Sequence, residues 1–268
     1  MPGLSPATAP TPYPDINAAV AHLLAPIRAI LADSFVGMYL YGSLAQGDFR
    51  PDTSDIDIIV VTERDVTAEQ FAALGALHIA FRASDSPWAA KIEAAYIQRD
   101  ALNLPAGQPN RYPQLEKDRD LSRDPLELGW AFQRSVLRDQ GIAVAGPAPA
   151  TLVAPVPVQE LLAADRAIVR MWQHDRHANP TWLPWVRQRP AQRFFLVTLC
   201  RILYRLAHNT LASKAAAAHW AQAALELRWS SLIARSLADH GDLTDADLAE
   251  SLAFLDYTAE RLVAAAAT

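Results

Sequence analysis

Acidic side chains at the start of an apolar run have types and a spacing that suit metal–phosphate chemistry. The segment reads Asp55-Ile56-Asp57 and continues into the apolar run 58–61. In a β-strand alternate side chains leave on opposite faces, so Asp55 and Asp57 are predicted to share one face. Two neighbouring carboxylates repel each other unless a cation lies between them, and Mg²⁺ takes carboxylate and phosphate oxygens as ligands. The pair therefore predicts a magnesium–phosphate site.

A Gly-Ser pair lies just upstream of these carboxylates. An apolar run ends at Tyr41, and Gly42-Ser43 break it. Glycine permits a tight turn, which would let backbone N–H groups and the Ser43 hydroxyl approach a phosphate. The alternative is an exposed loop in which Ser43 only turns the chain and Asp55 only caps it.

The ordered combination of Gly-Ser, a gap, and Asp-x-Asp before an apolar run resembles the nucleotidyltransferase superfamily with a polymerase-β-type catalytic domain. The resemblance implies a third carboxylate on the strand beside the Asp-x-Asp strand. Residues 89–98 are predicted to be that strand, with Glu93 in its middle. A glutamate in mid-strand is costly unless it is exposed or used, so Glu93 is our candidate for the third carboxylate.

Other interpretations of this strand stay open. Asp85 and Asp100 flank it and are reserve candidates for the third carboxylate. Glu93 could instead pair with Lys91 or Arg99 on a solvated face.

The elements that must position these residues follow from periodicity and turn signals. Residues 103–124 are polar and contain proline, so we predict a long loop there. In chain order the predicted elements are a helix from Asp15 to 31, strands 35–41 and 58–61, a helix 67–81, strand 89–98, a helix 125–139 and a short strand 142–145.

The second half of the chain has helical periodicity throughout. A proline-rich stretch follows residue 146 and is read as a linker. Five helices of an antiparallel bundle are then predicted, at 158–174, 191–207, 213–225, 229–239 (ended by Gly241) and 245–264. The predicted fold is therefore α+β: a disordered lead at 1–14, a mixed-sheet nucleotidyltransferase domain with flanking helices at 15–150, and an all-α helical bundle at 151–268.

Composition narrows the classes of function. The 268 residues are 51% hydrophobic, which is enough for sizeable cores, and their net charge of −5 offers no general attraction to nucleic acid or anionic membrane. No apolar run reaches membrane-spanning length by inspection, and the single cysteine, Cys200, lies among apolar neighbours and is predicted to be a core residue. We expect a cytoplasmic monomer without nucleic-acid or membrane partners.

The second half extends the resemblance over nearly the whole chain. Leu-Cys-Arg201-Ile-Leu-Tyr204, then Ser213-Lys214, then His219-Trp220 resembles the helical domain of the aminoglycoside (3″) adenylyltransferases, the streptomycin/spectinomycin resistance family. That family joins a nucleotidyltransferase domain to a helical bundle and uses ATP with Mg²⁺. The resemblance implies these roles: Gly42 and Ser43 at a phosphate, Asp55, Asp57 and Glu93 as metal ligands, Glu93 also as the base, and Arg201 and Lys214 at the nucleotide phosphates.

One segment departs from that family. Its drug-modifying members carry acidic residues before the Leu-Cys-Arg helix, whereas residues 186–193 here are basic, with Arg187, Arg189 and Arg193. A basic wall would repel a polycationic drug. Asp165 and Asp175 lie upstream and are the alternative carboxylates for this role.

Three interpretations follow. The first is transfer of AMP from ATP to a hydroxyl of a small molecule, most simply an aminoglycoside. The second is the same chemistry on a protein side chain or another metabolite. The third is a nucleotide-sensing protein with a degenerate site.

Overall fold

Six β-strands and ten α-helices form two compact units in the computed structural model, which describes residues 9–238 and 244–266. The units are Met1–Pro155 and Val156–Thr268. The first contains α1 (Pro14–Leu31), β1 (Phe35–Leu40), α2 (Gly42–Ala45), β2 (Ile56–Thr62), α3 (Ala68–Arg82), β3 (Ile92–Gln98), β4 (Arg111–Leu115), β5 (Ser122–Pro125), α4 (Trp130–Gln140) and β6 (Ile142–Ala145).

The sheet of the first unit is mixed. Its strand order is β5-β4-β3-β2-β1-β6, and β2 and β3 run parallel while the other neighbours run antiparallel. A parallel neighbour requires a crossover, and α3 supplies it between β2 and β3. The sheet, its flanking helices and the helical second half confirm the predicted α+β fold.

The two faces of the sheet bury different residues, as the period of two requires. On one face Ile56, Ile58 and Val60 of β2 pack with α1 and α3. On the other, Ile59 and Val61 pack in a cluster with residues of α4. Asp57 alternates with the first set, so it leaves the strand on the side of the second cluster.

Local signals explain where the helices begin. The Thr67 hydroxyl accepts the N–H of Gln70 at 3.2 Å, and the Gln70 amide oxygen accepts the N–H of Thr67 at 3.1 Å. This reciprocal cap starts α3 at the residue after Thr67, close to the prediction. Helix α1 has Pro14 at its first position, where a missing N–H costs no hydrogen bond, and it continues unbroken past Pro26.

Two sequence predictions in the first unit are wrong. The predicted loop 103–124 contains β4 and most of β5; pairing with the sheet, through Ala94 opposite Leu115, overrides the weak local preference of a polar, proline-containing segment. The predicted disordered lead is ordered from Thr11, which is buried and whose N–H donates to the Asn17 side chain at 3.0 Å. Residues 1–8 lie outside the described residues.

One helix of the first unit is long and apolar enough to cross a membrane by length and composition. The stretch is Pro14–Ser34, that is, α1 with the 3₁₀ turn that follows it, whereas the sequence predicted no stretch of this length. Six of its side chains, Ile16, Ala19, Val20, Leu23, Ile27 and Leu31, are buried inside the unit. The core helix of a soluble protein passes the same test, so this helix is weak evidence for a membrane span.

The second unit is all-helical. It contains α5 (Val158–Ala178), α6 (Trp182–Val186), α7 (Arg189–His208), α8 (Lys214–Ala224), α9 (Leu227–Leu237) and α10 (Asp245–Ala264). Helix α6 is a short element that the sequence analysis missed. The other five match the predicted bundle helices to within a few residues at each end, although Asp239 and Gly241 lie outside the described residues.

The core of the second unit surrounds α7. Cys200 is fully buried there, as predicted for a core cysteine, and burial raises the pKa of its thiol to about 12. The same helix carries a buried ion pair, in which Nε of Arg205 donates to Oδ2 of Asp165 at 2.8 Å. Asp165 is therefore used inside the bundle.

Candidate active site

Two of the predicted acidic residues stand side by side on the parallel strands. Asp57 of β2 and Glu93 of β3 are register partners. Neighbouring strands are about 4.8 Å apart, and paired residues in a parallel ladder point to the same face. Burial raises the pKa of the Glu93 carboxyl, and the nearby Asp55 carboxylate raises it further. The fold thus brings the two strand carboxylates onto one face.

Asp55 lies just outside the strand, because the ladder between β2 and β3 begins at Ile56. Its Oδ1 atom is buried and receives no hydrogen bond. The Nζ atom of Lys117 lies 3.4 Å from that oxygen and forms an ion pair with it. The Lys117 ammonium therefore attracts Asp55 electrostatically, and Oδ1 of Asp55 remains a hydrogen-bond acceptor without a donor.

The main chain at Lys117 reaches Glu93 as well. The backbone N–H of Lys117 lies close to the Glu93 carboxylate, lowers the pKa of Glu93 and so offsets part of the effect of burial. The alternative partners of Glu93 are engaged elsewhere: Lys91 donates to the carbonyl of Pro51 at 2.8 Å, and Arg99 pairs with Glu63 at 3.3 Å.

Gly42 adjoins the same carboxylates. It has φ of +60°, and a Cβ atom added to it would lie 1.9 Å from Oδ2 of Asp57. Both the backbone conformation and the space therefore require glycine. The predicted tight turn at Gly42-Ser43 is the first turn of the short helix α2, and the N–H of Tyr41 before it donates to the Asp57 carbonyl at 3.1 Å.

Tyr41 is a further residue of the site. Desolvation raises the pKa of its hydroxyl well above the ordinary value, and the carboxylates of Asp57, Glu93 and Glu127 raise it further. The phenol therefore stays protonated at neutral pH and faces an acidic cluster.

The donor set has the chemistry of a magnesium site. Asp55, Asp57 and Glu93 offer carboxylate oxygens, which Mg²⁺ prefers, and Oδ1 of Asp55 is a buried acceptor without a hydrogen bond. Among residues 9–238 and 244–266, however, no three His, Cys, Asp or Glu side chains are gathered closely enough to hold a metal ion. The donors fit, and coordination requires their side chains to move together. Their role as metal ligands stays a prediction.

The predicted phosphate contacts of the second half lie in the helical unit. Arg201 on α7 donates from Nε to the Ala212 carbonyl at 3.2 Å, and desolvation lowers the pKa of its guanidinium to about 10, with a contribution from Arg205. Lys214 is the exposed first residue of α8, directly after Ser213, whose hydroxyl caps the helix by accepting the N–H of Ala216 at 3.2 Å. Their predicted contact with a nucleotide stays a prediction.

Sequence reasoning missed three residues of this site: Tyr41, Lys117 and Glu127. Tyr41 was seen only as the end of an apolar run, although its place before Gly42 could have drawn attention to it. Lys117 fell in the segment predicted to be a loop, and nothing in its local sequence marks it. The reserve candidates Asp85 and Asp100 are both exposed.

Comparison with known proteins identifies the two halves of the chain. The family model for the nucleotidyltransferase domain matches residues 27–103, and the one for the aminoglycoside adenylyltransferase C-terminal domain matches residues 151–265. The chain belongs to the aminoglycoside adenylyltransferase family of nucleotidyltransferases. It is an enzyme of this nucleotidyl-transferring type.

Individual relatives cover most of the chain at low identity. Aminoglycoside (3″)(9) adenylyltransferases of Shigella flexneri and Escherichia coli are each 25% identical over 228 residues, which is 82% of this chain and 83% and 82% of those proteins. The structure of spectinomycin adenyltransferase from Enterococcus faecialis, solved with ATP and spectinomycin, superposes with a TM-score of 0.69 at 14% identity, covering 92% of this chain and 98% of that one. This structural likeness shows a shared fold.

Proposed function

We propose that this enzyme transfers the adenylyl group of ATP to a hydroxyl of a small molecule, with an aminoglycoside such as spectinomycin or streptomycin as the acceptor. The observation that carries the proposal is the register of Asp57 with Glu93 on parallel strands, with Asp55 beside them. The names of the relatives and the ATP and spectinomycin in the E. faecialis structure support the donor and the class of acceptor.

The three carboxylates have two proposed roles, binding Mg²⁺ and accepting a proton. Asp55, Asp57 and Glu93 would hold Mg²⁺, which when bound polarises the α-phosphate and neutralises charge on the departing pyrophosphate. The acceptor oxygen forms a bond to the α-phosphorus, the bond from that phosphorus to pyrophosphate breaks, and Glu93 takes the acceptor proton.

The other predicted residues are assigned to the nucleotide. Gly42 keeps the backbone close to Asp57, and Ser43 would contact a phosphate through its hydroxyl. For Arg201 and Lys214 we propose charge stabilisation of the triphosphate, on the strength of the family resemblance. A cytoplasmic location and a monomeric state remain predictions from the sequence.

The basic segment before α7 is a smaller obstacle to a cationic acceptor than its composition suggests. The guanidinium of Arg187 pairs with Asp245 at 2.6 Å, and that of Arg189 donates to the carbonyls of Arg235 and Ala238. The Arg187 side chain thus binds the start of α10, and the Arg189 side chain binds the end of α9. Both guanidinium groups therefore have partners within the helical unit.

An acidic residue of the helical unit could compensate for the missing carboxylates. Asp175 lines an open depression of about 630 Å³ together with Trp172, Trp182 and Trp185. A carboxylate beside aromatic rings attracts organic ammonium groups through charge and cation–π interactions. This supports an amine-bearing acceptor.

The test is a transfer assay with the purified protein, α-³²P-labelled ATP, MgCl₂ and a panel of aminoglycosides. Labelled drug is the expected product, and Glu93→Gln should bind ATP and fail to transfer. Glu69→Gln, the same change at the exposed start of α3, is the matched control and should transfer normally. Labelled protein instead of drug would point to a protein acceptor, and nucleotide binding without any product would overturn the enzymatic proposal.

A further inference from the structure

A single lysine lies beside two of the three carboxylates assigned to the metal. The Nζ atom of Lys117 forms an ion pair with Oδ1 of Asp55 at 3.4 Å, and its backbone N–H is close enough to the Glu93 carboxylate to lower the pKa of Glu93. Lys117 thus places one cationic group and one neutral donor in the site from the same residue. Neither the family models nor the names of the relatives assign it a role.

The sheet fixes the position of this lysine. The antiparallel pair β3–β4 sets Leu115 opposite Ala94, so the two residues after Leu115 run alongside the beginning of β3, where Glu93 lies. The chain then reverses at Asp118, which has φ of +60°. The register of β4 therefore places Lys117, in the turn that follows the strand, beside the beginning of β3.

The ion pair with Asp55 lies at the protein surface rather than in its core. The Lys117 side chain is 47% exposed and that of Asp55 is 27% exposed, although the paired oxygen, Oδ1 of Asp55, is itself buried beneath the lysine side of the pair. Pairs of this kind are weak, since solvent screens them and the lysine loses side-chain freedom to form them. A divalent cation brings twice the charge and is bound by several oxygens at once, so it can replace the ammonium.

We propose that Lys117 is a positioning residue that competes with the divalent cation for Asp55. Its ammonium neutralises Asp55 before the metal–nucleotide binds and must leave Asp55 when the metal arrives, so Lys117 sets the metal affinity of the site. This inference rests on the proposed function, because it takes Asp55 as a metal ligand.

The neighbouring turn supplies a matched control. Arg119 lies two residues further along the chain, and its guanidinium pairs with Glu116 at 2.5 Å. Arg119→Met removes one positive charge from the same turn without touching Asp55. A general field effect would act in both variants, whereas competition for Asp55 is specific to Lys117.

The experiment is a titration with MnCl₂, followed by the electron paramagnetic resonance of free Mn²⁺, with and without a non-hydrolysable ATP analogue. Lys117→Met should bind Mn²⁺ about tenfold more tightly than the wild type, because one competing unit charge is gone. Lys117→Gln should behave similarly, and Lys117→Arg and Arg119→Met should stay close to the wild type. Melting temperatures with EDTA check that every variant is folded.

The outcomes separate the two levels of the proposal. If the wild type binds Mn²⁺ and Lys117→Met binds it equally or more weakly, the role of Lys117 is overturned while the metal site stands. If no variant binds Mn²⁺ in either series, the carboxylate metal site itself is wrong, and the inference about Lys117 falls with it.

Discussion

Two ion pairs of this enzyme use the same chemistry in opposite surroundings. Lys117 and Asp55 in the sheet unit are both partly exposed, whereas Arg205 and Asp165 in the helical unit are 3% and 0% exposed. In our proposal the first pair opens when a divalent cation binds. The second is closed to solvent and can only stay formed or be broken, at a high cost. Burial, rather than charge, decides whether an ion pair serves binding or the fold.

The energetics make this contrast quantitative. Exposed pairs contribute about 0–1 kcal/mol to stability, whereas removing one partner of a buried pair costs about 3–5 kcal/mol because the other charge is left uncompensated. Burial raises the pKa of Asp165, and the Arg205 guanidinium offsets part of that effect. The Lys117–Asp55 pair is therefore cheap to break, whereas the Arg205–Asp165 pair is costly to break.

The largest expected effect is on the transfer rate, when a carboxylate of the candidate active site loses its charge. Asp57→Asn should lower the transfer rate by about a thousandfold or more, since it weakens the electrostatic stabilisation of the transition state by about 4 kcal/mol. The free energy of unfolding should change little. Steady-state kinetics and urea unfolding measure the two quantities.

Asp52→Asn is the control for that change. It makes the same substitution on the exposed loop before β2 and should leave the transfer rate intact. If Asp57→Asn transferred at the wild-type rate, the carboxylates would not form the metal site. The contrast between the Lys117–Asp55 and Arg205–Asp165 pairs would then lose its functional meaning.

Breaking the buried pair of Arg205 and Asp165 should have the opposite effect, a loss of stability rather than a specific loss of transfer rate. Asp165→Asn leaves the Arg205 guanidinium buried without its carboxylate and should lower the free energy of unfolding by about 3–5 kcal/mol. Replacing both partners by apolar residues, Asp165→Leu with Arg205→Met, should recover much of that loss. Urea unfolding of the single and double variants measures the coupling.

An exposed pair of the same unit calibrates this measurement. Arg187→Met breaks the surface contact with Asp245 and should cost less than about 1 kcal/mol. Equal losses in Asp165→Asn and Arg187→Met would show that burial does not distinguish the pairs.

A smaller effect concerns a buried titratable group on the other face of the sheet. Nε2 of His78 lies 2.7 Å from the Tyr96 hydroxyl, and burial lowers the pKa of His78 to about 4. The unfolded chain, with an ordinary histidine pKa near 6.5, binds more protons between these values. Stability is therefore complete above pH 6.5 and falls as the pH decreases towards 4, by about 2 kcal/mol at pH 5.

Unfolding by urea at pH 7.5 and pH 5 tests this contribution. His78→Gln should lose about 2 kcal/mol less than the wild type between the two pH values, and His22→Gln, at an exposed position, should follow the wild type. An unchanged pH dependence in His78→Gln would mean that the buried histidine is not the group that titrates.

The acidic half of the site could be predicted because its signals are local. Asp57 and Glu93 each interrupt an apolar strand pattern, and a carboxylate in that position needs a reason. Which residues face each other depends on sheet register, which the pattern of either strand alone does not determine. The family resemblance supplied that link between the two strands.

Lys117 could not be found in this way. It follows β4, whose five residues include Pro113 and carry little strand preference, so the strand forms only through pairing with β3 and β5. The composition of residues 186–193 likewise suggested more free positive charge than the structure has. Arg187 pairs with Asp245 and Arg189 donates to the Arg235 carbonyl, and both partners are far away in the sequence. Tertiary partners are what sequence patterns leave out.

Gly42 has a consequence for inhibition of this enzyme. Every other side chain at this position would combine a strained left-handed backbone with a clash against Asp57. A compound that bound the main chain here would contact a surface that the enzyme cannot alter by mutation without damaging its own carboxylates. Escape variants are therefore least accessible at this point.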